Sequence, residues 1–107
     1  MNKELNTLKI NGVEYVKKGE GELTPIKIVI LQRGWVVIGR YSEDGEYGVL
    51  NDAYVIRRWG TSEGLGQLAL DGKQSETKLE KTGVIRFHKL TTVAEINCDF
   101  SKWDNEF

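Results

Sequence analysis

The sequence predicts an all-β or β-rich α+β domain, either a small bent-strand barrel or a compact antiparallel sheet with one short helix. Three observations predict it. Runs rich in β-branched and aromatic residues, such as Ile26–Leu31, Trp35–Tyr41 and Tyr54–Trp59, sit between glycine punctuators. Turn dipeptides, Asn11-Gly12 and Asp44-Gly45, separate alternating segments. Only one stretch, Gly60 to Gly72, has helical spacing of apolar residues, with Leu65, Leu68 and Ala69 on one side.

Taken in order, Leu8-Lys9-Ile10 and Val13-Glu14-Tyr15-Val16 form a hairpin about Asn11-Gly12, because both central positions of a type I′ turn need positive φ. Residues 1–6 are expected to fray and residues 17–24 to form a polar loop. The single proline, Pro25, sits just before a strand at Ile26–Leu31, where its missing donor does least harm. That strand is too apolar for simple alternation and suits cover on both faces. Gln32-Arg33-Gly34 connects it tightly to Trp35–Tyr41, in which Gly39 marks a bend, a bulge or a close approach of another backbone. The return strand from Tyr47 is interrupted at Asn51-Asp52 and resumes through Trp59. In the resumed part Tyr54, Ile56 and Arg58 face one way, and Val55, Arg57 and Trp59 the other. In the helix that follows, Thr61 or Ser62 is the expected cap and Asp71-Gly72 the stop. Residues 73–83 read as an exposed loop. Val84–His88 and Val93–Cys98 return to strand, Phe100 and Trp103 clip back onto the domain, and residues 104–107 fray.

At 107 residues the chain is one domain, long enough to bury roughly 60–70% of its unfolded surface without disulfides or a structural metal. A net charge of −1 argues against tight, nonspecific nucleic-acid binding, whose affinity comes from neutralising phosphates. Cys98 is the only cysteine, His88 the only histidine, and no apolar run reaches the ~20 residues of a membrane helix. The expectation is a cytoplasmic protein of a bacterial host, with no metal and no cofactor.

Two resemblances bear on identity. The rhythm from Ile26 to Trp59 resembles the first half of Sm-like and SH3-like barrels, which implies ring-like oligomers formed by edge pairing. Val55-Ile56-Arg57-Arg58-Trp59-Gly60-Thr61, then Gly64-Leu65-Gly66-Gln67-Leu68-Ala69, and later Leu90-Thr91-Thr92-Val93-Ala94, resemble a family of short phage and prophage proteins with no assigned activity. That resemblance implies origin and carries no mechanism.

The candidate ligand site is Arg57, Arg58, Trp59, Thr61, Ser62, Gly64 and Gly66. Arginine supplies a donor fork for phosphate, tryptophan a stacking face, and a helix start unpaired amides. The bland alternative pairs the arginines with carboxylates and leaves the glycines shaping a turn. Neither a Walker A loop nor a dinucleotide fingerprint is present. Trp35, Tyr41 and Tyr54, interleaved with arginines, are candidate interface residues. The reading favoured is a non-enzymatic, homo-oligomeric binder of a small phosphorylated, nucleotide-like ligand. One alternative is a protein-interaction module, such as an inhibitor of a host or defence protein or a small virion component. The other, an enzyme acting on a phosphorylated compound, requires His88 to lie near Arg57 and Arg58.

Overall fold

A computed structural model describes residues 24–107 in full and the backbone of residues 7–10 and 13–16. The latter form a hairpin, β1 (Thr7–Ile10) with β2 (Val13–Val16), in a register that places Ile10 opposite Val13. The expected Asn11-Gly12 turn, the frayed 1–6 segment and positions 17–23 of the expected loop lie outside the described residues.

The rest is one antiparallel five-stranded sheet: β3 (Ile26–Leu31), β4 (Trp35–Asp44), β5 (Tyr47–Arg58), β6 (Lys78–His88) and β7 (Thr92–Asn97), in the order β6-β5-β4-β3-β7. Two short helices accompany it, α1 (Leu65–Asp71) and α2 (Phe100–Trp103). The β4–β5 hairpin turns at Gly45-Glu46, one residue past the expected Asp44-Gly45 pair, with Asp44 opposite Tyr47.

The sheet curls strongly. His88, at the end of β6, stands opposite Tyr47 at the hairpin tip, while Thr92 stands opposite Leu31, whose other neighbour is Trp35 at the start of β4. In a flat sheet the length of β4 alone would separate those places by roughly 30 Å. The four residue steps from His88 to Thr92 reach about 14 Å at most. The bend falls where β4 and β5 slip register, between Ile38 and Arg40 on one strand and around Asn51-Asp52 on the other, where Asp52 takes φ +53°. Gly39 eases this close approach. A Cβ there would lie 3.0 Å from the Asn51 carbonyl oxygen and 3.0 Å from the Leu50 Cβ.

Curling does not become closure, so of the two expected architectures the compact antiparallel sheet holds and the barrel does not. Closure needs β6 and β7 side by side. Instead β6 is hydrogen-bonded only to β5 and β7 only to β3 among the described residues, and a 3₁₀ turn, Lys89–Thr91, connects the two edge strands.

Alternation along the curled strands makes two cores. Ile26, Ile28, Ile38 and Ile56 pack against Leu65, Leu68 and Ala69 of α1 and Trp103 of α2. Val29, Val37, Tyr41, Leu50, Ala53, Val55 and Phe87 pack on the opposite face. This two-sided burial explains why β3 reads as a near-continuous apolar run.

Three further expectations change. The helix begins at Leu65 rather than near Gly60, with Gly64 at φ +97° as its N-cap in place of Thr61 or Ser62. The expected 73–83 loop ends early, because β6 begins at Lys78. Its first half reads as loop because it is an edge strand whose only large inward residue is Leu79. Beyond the expected elements, Phe100–Trp103 form a second helix, and Asp104–Glu106, in the segment expected to fray, form a 3₁₀ turn. Trp103 is fully buried and its indole N–H donates to the Leu68 carbonyl at 3.0 Å. Arg40 bonds Asp104 at 2.9 Å, and Phe107 packs against Tyr54 and Trp103. No helix among the described residues is long and apolar enough to cross a membrane.

Trp103→Ala removes the side chain that joins α1 and α2 to the sheet. The expected loss is about 3–5 kcal/mol, read as a lower midpoint in urea unfolding. An unchanged midpoint would show that the C-terminal helix adds nothing to the core.

Candidate functional site

The segment after β5 is positioned from beneath by one buried polar residue. Thr77 is buried, donates from Oγ1 to the Trp59 carbonyl at 2.6 Å, and accepts from the Gln74 amide at 2.9 Å. Gly60 follows at φ +70°, and a Cβ there would overlap the Glu76–Thr77 peptide. The backbone of Trp59-Gly60 is therefore held against the 74–77 turn, while the Trp59 side chain remains 42% exposed.

Alternation separates the two arginines. The Arg57 Nε donates to Glu80 Oε1 at 2.6 Å, an exposed cross-strand ion pair of the kind worth about 0–1 kcal/mol. Arg58 is exposed and stands opposite Lys78 in the β5–β6 ladder; among the described residues neither has a carboxylate partner. Like charges placed opposite each other are unfavourable unless an anion lies between or beside them. The last rungs of this ladder carry Arg57, Arg58, Lys78 and Lys81 against the single carboxylate of Glu80.

The amide half of the expected site is used internally. Thr61 Oγ1 accepts from the Gly64 amide at 3.0 Å and donates to its carbonyl at 2.9 Å. Gln67 Oε1 accepts from the Glu63 amide at 2.7 Å and from the Ser62 hydroxyl at 3.4 Å. These residues close a turn ahead of a seven-residue helix, and Gly66 faces open space. What the segment presents outward is the Arg58 guanidinium and the Trp59 indole.

The three interface candidates separate. Trp35 is 55% exposed at the start of β4. Tyr41 is instead buried in the second core, with its hydroxyl donating to Glu43 at 2.8 Å and the Lys27 ammonium 4.4 Å from its ring centre. Burial first, then the Glu43 hydrogen bond and the nearby Glu95 and Glu43 charges, push this hydroxyl above the ordinary tyrosine range. In return, hydrogen bonds from Tyr41 and Lys89 hold the Glu43 carboxyl below its usual range. Tyr54 is half-buried and covered by Phe107, with its hydroxyl donating to the Glu106 carbonyl at 3.3 Å. Tyr41 is thereby buried within the chain, and Tyr54 is partly covered by the C-terminal segment. Leu90 and Val93, 82% and 64% exposed, are surface features that the sequence reading passed over as a turn and a strand start. Their signal was a large apolar residue inside a turn, Leu90 before Thr91-Thr92.

His88 lies far from the arginines. Arg58 and Lys78 occupy one end of the β5–β6 ladder, and Tyr47 and His88 the other. The juxtaposition that the enzymatic reading required is therefore absent. Cys98 is half-buried against the first core, and burial pushes its thiol up to about 12.

Such a thiol is almost wholly protonated at pH 8. Ellman's reagent is expected to react slowly with the native protein and fully in denaturant, and rapid native labelling would contradict the packing at Cys98. The chain matches no protein-family model and no curated protein.

Proposed function

We propose that this chain is a non-enzymatic binding protein that captures a small phosphorylated, nucleotide-like ligand on the Arg58–Trp59 surface. One observation carries the reading: Arg58 and Lys78 stand opposite each other in the β5–β6 ladder, and the next residue in sequence is an exposed tryptophan whose backbone is pinned by Thr77. The cations suit phosphate oxygens, and Arg58 offers a bidentate fork. The indole offers a stacking face of the kind that binds nucleobases. The anchor at Thr77 and Gly60 reduces the ordering cost on binding. Assembly into a homo-oligomer belongs to the same proposal and is supported by the two sheet edges, β6 and β7, which are open among the described residues.

Titration of Trp fluorescence with nucleoside mono-, di- and triphosphates and cyclic dinucleotides tests the reading. Arg58→Ala is expected to weaken binding tenfold to a hundredfold, from the loss of about 1.5–3 kcal/mol of charge-assisted hydrogen bonding. Arg57→Ala is expected to change it less than threefold, because Glu80 already occupies that side chain. Equal effects of the two variants, or no binding across the series, would overturn the proposal.

A second reading, the protein-interaction module, is favoured by Trp35, Leu90 and Val93. All three are exposed, and Leu90 and Val93 flank the start of the edge strand β7. On this reading the double variant Trp35→Ala/Leu90→Ser loses binding to its partner protein in a surface-binding assay while keeping its parental fold by circular dichroism. Retained binding would remove this surface from consideration.

A further inference from the structure

His88 sits where three pieces of the fold meet: the tip of the β4–β5 hairpin, the end of β6, and the 3₁₀ turn Lys89–Thr91 that joins the two edge strands. Its ring is held at both nitrogens. Nδ1 lies 3.1 Å from the Leu90 backbone nitrogen, and Nε2 lies 3.1 Å from Glu46 Oε1. A backbone N–H only donates, so Nδ1 must offer its lone pair, and the proton of the neutral ring therefore resides on Nε2 and is donated to Glu46. The same turn is tied by the Thr91 hydroxyl donating to the His88 carbonyl at 2.7 Å and the Lys89 amide donating to the Glu46 carbonyl at 2.9 Å.

We infer that His88 is an acid-sensitive latch: its neutral Nε2–H form caps the turn carrying Leu90, and protonation releases that cap. The added proton goes to Nδ1 and turns the acceptor of the Leu90 N–H into a second donor, so the two N–H groups face each other and the contact opens. On the other side of the ring the Glu46 contact persists as an ion pair, so the hairpin tip keeps its hold while the turn loses one. The groups around the ring are accounted for. Glu46 is the carboxylate on Nε2, and the Tyr47 ring meets the imidazole edge-on at 5.2 Å between centres. Arg86 lies over Tyr47 and is paired with Asp44, and Lys89 is paired with Glu43. Each of these neighbouring charges already has a partner, so the charge gained by the ring meets Glu46 first. What changes is the turn that displays Leu90, the most exposed large apolar residue described, and that ties the two edges of the curled sheet together.

Long-range ¹H–¹⁵N correlation of the imidazole at pH 8 should show the Nε2–H tautomer. On titration to pH 5, the Leu90 amide proton should move upfield with the same midpoint as the His88 ring carbons. In His88→Gln that pH-dependent movement should vanish. In Glu46→Gln the tautomer should persist, because the Leu90 N–H selects it. An Nδ1–H tautomer in the parent, or a Leu90 amide that does not follow the ring, would overturn the inference. So would a tautomer switch in Glu46→Gln.

Discussion

The close approach of β4 to β5 at Gly39 is the constraint on which the rest of the molecule depends. A Cβ at position 39 would lie 3.0 Å from both the Asn51 carbonyl oxygen and the Leu50 Cβ, tighter than such contacts ordinarily are, so glycine suits this crossing. The register slip they share with Asp52 turns two long strands back over the sheet. Without that turn the second core would have no inner side, and the His88-to-Thr92 connection would be too short for the distance it covers. Arg40, immediately after the bend, bonds Asp104 and also pairs with Asp52 at 3.5 Å, so the same corner anchors the C-terminal segment.

The central strands are buried on both faces over much of their length, and the two ends of the β5–β6 ladder carry clusters of charged residues. At the hairpin end, Glu43 and Asp44 are paired with Lys89 and Arg86, and Glu46 accepts a hydrogen bond from His88. At the other end, the cations of β5 and β6 outnumber the one carboxylate there. The difference lies in pairing. The matched end holds the curl together through networks of exposed contacts, individually weak. The unmatched end holds a charge that an anion would satisfy.

Most of the sheet was legible because strand chemistry is local. The β-branched runs placed β3, β4 and β5, and Gly39 and Asn51-Asp52 marked the irregularity that bends them. Topology was less legible. The distinction between a closed barrel and an open curled sheet rests on whether the edge strands β6 and β7 pair with each other, which no periodicity reveals. The start of β6 escaped notice because an edge strand has few inward positions to fill, and α2 because four residues are too few for a helical pattern. At the candidate site, the opposite facing of Arg57 and Arg58 followed from period two alone. The internal use of the Glu63 and Gly64 amides did not, since it depends on how Thr61 and Gln67 fold back on the turn. Tyr41 shows the same limit: its spacing places it on a face, but only the bend turns that face inward.

Native mass spectrometry of the protein purified without added nucleotide, compared with its denatured mass, tests the capture of a phosphorylated ligand most directly. The proposed role predicts a closed oligomer carrying a constant extra mass per subunit or per pair, lost in Arg58→Ala. A bare monomer from parent and variant alike would contradict it.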